Sequence, residues 1–120
     1  MLVTTDTGIK EDTVIYGIGG KDVFLPLFMF SYILNLDVDS SVKSKPLLYS
    51  KDKSVYIELN VDSVLATVNG EDVVLPHEVY EHNGIVLIPV KYLASKFGYT
   101  VKDTYNNIHI SKRQKEEISA

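Results

Sequence analysis

The 120-residue chain has no cysteine and no tryptophan. Without cysteine there is no disulfide, no thiolate nucleophile and no Cys-ligated zinc, while the compartment stays open because exported and cytosolic proteins alike can lack it. Positive charge is scarce. Lys and Arg number 12 against 16 Asp and Glu, for a net charge of -4 and a pI near 5.3. A polyanion surface needs clustered cations to displace its counterions, so nucleic acid is excluded as the expected partner. The one basic cluster, Lys112, Arg113 and Lys115, is followed at once by Glu116 and Glu117. Long apolar runs are also missing. The longest, Val23 to Leu34, is interrupted by Pro26 and Ser31 and falls short of the roughly 20 residues of a spanning helix, so no membrane span is expected. The opening MLVTTDTGIKEDT has neither a basic nor an apolar region of signal type, and no secretion signal is expected in the chain as written.

What the chain does have is a repeat. Residues 24–40, FLPLFMFSYILNLDVDS, align without a gap on residues 87–103, LIPVKYLASKFGYTVKD, placing Pro26 on Pro89. Both read as strand, proline, helix, strand. A repeated unit with no evident chemistry points to a module that stacks and holds. With 45% hydrophobic and 23% charged residues, one domain with a modest core is expected. The fold class is read as α+β, with antiparallel sheet or sheets packed on two helices. It is divided into two β-β-α-β-β halves, 13–59 and 63–111. Residues 1–12 are read as a flexible leader and 112–120 as a charged tail or linker.

Turn chemistry places the elements. GGKD (Gly19 to Asp22) separates a strand at Thr13 to Ile18 from one at Val23 to Leu25. Pro26 can occupy the first helical turn, so a helix is predicted over Pro26 to Leu36, then a strand at 36–39. After a polar loop through Pro46, strands are predicted at 47–50 and 54–59 around KDK. Asn69-Gly70 is a type I′ hairpin signal between Ser63 to Val68 and Asp72 to Leu75. A short strand or loop runs to Tyr80, with a second turn at His82 to Gly84. The remaining elements are a strand at Ile85 to Ile88, a helix at Pro89 to Phe97 capped by Gly98, and a closing hairpin from Thr100 to Lys102 and Ile108 to Ile110.

The two helices differ in kind. Val90, Leu93, Ala94 and Phe97 make one apolar stripe, with Lys91, Ser95 and Lys96 elsewhere, as in a surface helix on a sheet. In the first helix Leu27, Phe30 and Leu34 form that stripe, but Phe28, Met29, Tyr32 and Ile33 stand where the second has Lys91, Tyr92, Ser95 and Lys96. An all-round apolar helix is either covered on both sides, here by the other half or the inserted loop at 40–54, or it presents an interface. Phe28, Met29, Tyr32 and Ile33 are therefore the candidate interface, for a protein partner or a second copy. Tyrosine faces can also stack on sugars or form protein interfaces. Of eight tyrosines, Tyr92, Tyr99 and Tyr105 fall near one another and make a candidate aromatic binding surface for cell-wall polysaccharide or protein.

Catalytic chemistry finds little footing. HEVYEH (His77 to His82) spaces its histidines at i and i+5, about 140° apart on a helix and on opposite faces of a strand, so no metal site is expected. His109 is read as a solvent-facing strand histidine. Asp37 and Asp39 share a strand face but lack the oxygen-rich loop calcium requires. Gly17, Gly19 and Gly20 precede a strand rather than a helix, which removes the phosphate-cradle reading. No serine sits in a nucleophile elbow. No catalytic residue, metal or cofactor is expected, and the chain is read as non-enzymatic.

The second half, with Asn69-Gly70, Asn83-Gly84, Ile88-Pro89-Val90-Lys91, Phe97-Gly98, Val101 and Ile108 to Ile110 in that order, resembles the copper amine oxidase N-terminal-like domain, also called the stalk domain. The first half fits more loosely through Leu25-Pro26-Leu27-Phe28, with Asn35 in the glycine position. Lys91 and Phe28 replace the family's usual arginine, and Asp103 alone remains of a common Trp-Asp, so any pairing of that arginine with an acidic neighbour does not carry over to this sequence. The resemblance implies an accessory or stalk module of exported proteins in Gram-positive bacteria. The copper and quinone chemistry of amine oxidases would then lie in a separate catalytic domain. It further implies an extracellular or wall-associated location, with a cytoplasmic one following if the chain is complete as written.

Overall fold

A computed structural model describes residues 2–12, 16–18, 22–104 and 107–112. In chain order it contains β1 (Leu2–Thr5), β2 (Lys10–Asp12), β3 (Tyr16–Ile18), β4 (Asp22–Pro26), α1 (Leu27–Leu34), β5 (Asp37–Asp39), β6 (Leu47–Tyr49) and β7 (Tyr56–Leu59). These are followed by β8 (Leu65–Val68), β9 (Glu71–Val74), β10 (Tyr80–His82), β11 (Ile85–Pro89), α2 (Val90–Lys96), β12 (Tyr99–Thr104) and β13 (Asn107–Lys112). The fold is α+β, mostly antiparallel sheet with two helices. The turn at 19–21, Tyr105 and the tail beyond Lys112, all read from the sequence above, lie outside the described residues.

A four-stranded sheet in the order β10-β11-β4-β3 lies at the centre. Asn83 and Gly84 both have positive φ, 51° and 80°. That is the geometry of a two-residue hairpin turn whose twist matches its strands, and it sets His82 opposite Ile85. β11 then pairs antiparallel with β4, with Leu25 opposite Ile88, Phe24 opposite Pro89 and Pro26 opposite Leu87. Leu25, Phe24 and Ile88 are fully buried. Each of these two strands ends in a proline that is also the residue before a helix. A proline there has no N–H to lose from the helix and a φ suited to extended backbone. Both helices pack back against β4, and Phe30 of α1 meets Phe97 at the end of α2 edge-on, with ring centroids 6.4 Å apart.

The first helix ends earlier than its pattern predicts. Asn35 takes the left-handed conformation (φ 55°). Leu36 N–H then donates to the Ser31 carbonyl at 2.8 Å, and Asn35 N–H to that of Tyr32 at 3.2 Å, a Schellman closure that satisfies the last carbonyls. In α2 the same place is held by Gly98 (φ 84°), whose N–H donates to Ser95. Beyond the helices the chain takes different routes. β5 joins a five-stranded meander, β5-β6-β7-β8-β9, whereas β12 and β13 join β1 and β2. In the meander Leu48, Ile57, Leu59 and Ala66 are buried. Its terminal strands carry Asp37, Asp39, Glu71 and Asp72, charges that discourage further edge pairing.

The leader expected at 1–12 is instead part of a sheet. β1 pairs in parallel with β13, Val3 opposite Ile108 and Thr5 opposite Ile110, and antiparallel with β2. Val3 is fully buried. The partner strand is supplied by the far end of the chain, so no local pattern announces it. Burying a valine side chain stabilises by about 1.5–3 kcal/mol. Removal of residues 1–12 should therefore cost about 2 kcal/mol or more, read as a lower urea midpoint by circular dichroism, whereas an unchanged midpoint would return this segment to a leader.

Candidate binding groove

The helix α1 begins where β4 leaves the central sheet, so its register is fixed by that strand. Leu27, Phe30, Ile33 and Leu34 are buried, while Phe28 and Tyr32, four residues apart on one helical face, are 61% and 60% exposed. Met29 lies between these extremes and packs partly against the core. Ile33 corrects the expectation of an interface residue: it is 5% exposed. It borders a cavity of about 390 Å³ shared with Thr5, Thr7 and Ile9 of the β1–β2 turn, and Ile9 packs on the core. The same segment misread as a leader thus covers the helix on that side.

On the other side Phe28 opens onto a groove of about 590 Å³. Its walls are Leu27 and Phe28 from α1, Val38 from β5, Pro46 from the following loop, and Ile85 and Val86 from the β10–β11 hairpin. The loop after β5 forms the far wall and leaves Phe28 and Tyr32 open. Val38 and Ile85 are themselves exposed. Periodicity could not single out Ile85 and Val86, because β11 is apolar at every position from Ile85 to Pro89. In the ungapped alignment Phe28 and Ser40 match Lys91 and Asp103. Those two form an ion pair at 3.2 Å. Where the second helix is tied to its following strand by charge, the first has an apolar ring and a serine, and both line the groove.

The candidate aromatic surface is not displayed as such. Tyr92 and Tyr99 are half-buried and pack against the core, with the Lys96 ammonium 4.9 Å from the Tyr92 ring centre. Tyr105 lies outside the described residues.

The histidines are engaged separately. His77 packs against the Phe24 ring at 5.8 Å, and His82 Nε2 accepts from the Asn83 amide at 3.4 Å. His109 faces its cross-strand neighbour Thr4. Its Nε2–H donates to Asp6 Oδ1 at 2.9 Å, and Nδ1 and the Thr4 hydroxyl share a hydrogen bond at 2.8 Å. This network, invisible in the sequence, staples the β1–β2 turn to β13, since Asp6 also accepts from the Lys112 N–H. Among the described residues no three His, Asp or Glu side chains converge on one point.

Asp37 and Asp39 have local partners. Asp37 bonds the Lys51 ammonium at 2.6 Å, which holds its carboxyl below the usual range, and the Ser41 N–H does the same for Asp39. Asp52, in the turn between β6 and β7, accepts from the Ser54 N–H and from the hydroxyls of Ser54 and Ser50. These bonds lower its pKa from 3.8 to about 2.

Two tests follow from this geometry. Ile33→Ala should cost about 2–5 kcal/mol in urea denaturation, whereas Tyr32→Ser should stay within about 0.5 kcal/mol; equal costs would contradict the burial described. Because the folded pKa of Asp52 is depressed, its contribution is present above the unfolded value and lost as pH falls from about 4 towards 2. A carboxyl-detected NMR titration should give a midpoint near 2, and Asp52→Asn should flatten that part of the acid limb; a midpoint near 3.8 would contradict it.

The family model for the copper amine oxidase N-terminal domain matches residues 7–111. No curated protein and no solved structure matches the chain. The matched span runs from the β1–β2 turn into β13 and takes in both helices and every strand but β1. The chain belongs to the copper amine oxidase N-terminal domain family, a non-catalytic accessory domain of those enzymes.

Proposed function

We propose that this chain is a non-enzymatic structural or interaction module of stalk type, carried by a bacterial surface or secreted protein. The observation that carries the reading is the family match over 7–111, which spans nearly all the described structure. The donor set agrees with it. A copper and quinone centre needs convergent histidines, and the three present are tied to Phe24, Asn83 and the Thr4–Asp6 pair on separate elements. They do not fit such a site. No described helix is long and apolar enough to cross a membrane, so attachment would come from outside these elements.

The framework is proposed to be two copies of one hairpin–helix unit, β3-β4-α1 and β10-β11-α2. The register supports it: Leu25 lies opposite Ile88, the residue it matches in the ungapped alignment, as a local two-fold axis at that pair would require. The copies then diverge after the helices into different sheets.

A second reading, that the chain binds protein or carbohydrate through exposed aromatics, whether outside the cell or inside it, is favoured by the exposure of Phe28 and Tyr32. An antibody raised to this chain should label intact producing cells, and external protease should remove the label. Copper-loaded chain should neither develop quinone absorbance nor release peroxide from benzylamine. Label appearing only after lysis would overturn the surface reading, and amine turnover would overturn the non-enzymatic one.

A further inference from the structure

We propose that the groove beside α1 binds an extended peptide by strand addition to the open edge of β10, and that the peptide carries a basic residue flanked at the second positions on either side by apolar ones. The proposal rests on the second reading above and names its ligand.

The edge follows from the hairpin geometry. In a two-residue hairpin the residues flanking the turn, His82 and Ile85, exchange both backbone hydrogen bonds, so the next pair, Glu81 and Val86, does not. The N–H and C=O of Glu81 therefore point away from β11. β10 is the last strand of its sheet. Two residues earlier the same outward side is occupied: Val79 accepts from the Asp62 N–H and donates to the Ser63 carbonyl. Among the described residues no backbone bond covers Glu81 in this way. Glu81 also lines the groove, together with Phe28, Val38 and Val86. One unpaired backbone donor and one acceptor thus stand beside exposed apolar side chains, the pairing that strand addition uses for affinity and for specificity.

Area and charge argue for a peptide over a second copy. The exposed parts of Phe28 and Tyr32 present roughly 200–300 Å² between them, well below the ~800 Å² per partner of a stable dimer. A two-fold pairing of β10 with itself would centre on its one outward-facing residue and set Glu81 against Glu81, and like charges directly opposite destabilise a strand pair. Pairing through β5, the other terminal strand at the groove, would bring Asp37 and Asp39 against the same residues of the copy. A foreign strand with Lys or Arg opposite Glu81 meets the opposite charge there, while the groove's own lysine, Lys43, comes from the loop after β5. Residues two positions either side of it then share its face of the strand, the face turned to Val86 and Phe28.

The probe is the peptide Thr-Val-Thr-Lys-Thr-Val-Thr-amide carrying fluorescein on its N-terminus, titrated against the full 120-residue chain by fluorescence anisotropy. We expect saturable binding that weakens by about tenfold or more with Phe28→Ser and with Glu81→Lys, is restored towards Glu81→Lys by exchanging the peptide lysine for glutamate, and is lost when the lysine amide is N-methylated. Tyr92→Ala should leave it unchanged. Absence of binding to folded chain would overturn the proposal. So would equal binding of the N-methylated peptide, or a Phe28-dependent dimer in sedimentation equilibrium. None of these results bears on amine turnover or cell-surface labelling, so the accessory reading stands or falls separately.

Discussion

The antiparallel pairing of β4 with β11 positions everything else. Both strands are interior to their sheet, each with a hydrogen-bonded neighbour on either side, and Leu25 and Ile88 meet there with no solvent exposure. A one-residue slip would turn every side chain of a strand to the opposite face. It would also move Pro26 and Pro89, and with them the points at which both helices start. Helix placement is therefore a consequence of strand register. The exposure of Phe28 follows in turn, because α1 buries Leu27, Phe30 and Leu34 against the sheet and must direct Phe28 and Tyr32 elsewhere.

From this centre the two hairpin–helix units are closed differently. Behind α2, Lys91 pairs with Asp103, and β12 continues into the sheet that also takes up β1. An exposed ion pair of this kind is worth little in energy, but it occupies the space between helix and following strand. Beside α1 the matching positions are Phe28 and Ser40, and β5 leaves to join the meander. The result is a groove bounded by the terminal strands of two sheets, with largely apolar walls, the Glu81 carboxylate at the edge of β10 and Lys43 from the loop after β5. An accessory domain whose family role is non-catalytic thereby keeps one surface that its described residues leave open.

Much of the framework was legible because local chemistry dictates it. Asn69-Gly70 and Asn83-Gly84 demand positive φ and both adopt it. Pro26 and Pro89 mark the strand-to-helix steps, and Asn35 stands in for Gly98 as a left-handed helix end, which shortens α1 by two residues relative to its apolar pattern. What the sequence concealed was non-local. Leu2–Thr5 is short and threonine-rich, and it becomes a strand only because β13 arrives alongside it from more than a hundred residues away. That arrival buries Ile33, which helical periodicity assigns to the same outer surface as Tyr32. The Lys91–Asp103 pair was likewise hidden, since a lysine reaches across 12 positions only once the hairpin has folded. In the groove, Phe28 was legible as an anomaly in its helix, but Val38, Glu81 and Ile85 join it through tertiary packing alone.

The dependence of both units on one strand pair can be read by native-state hydrogen exchange at the amides of Leu25 and Ile88. If β4 and β11 form a single cooperative centre, both amides exchange only through global unfolding, with the same free energy as the urea transition. Exchange of the Leu25 amide at a distinctly lower free energy than that of Ile88, or the reverse, would mean that the two hairpin–helix units open independently and would contradict this account.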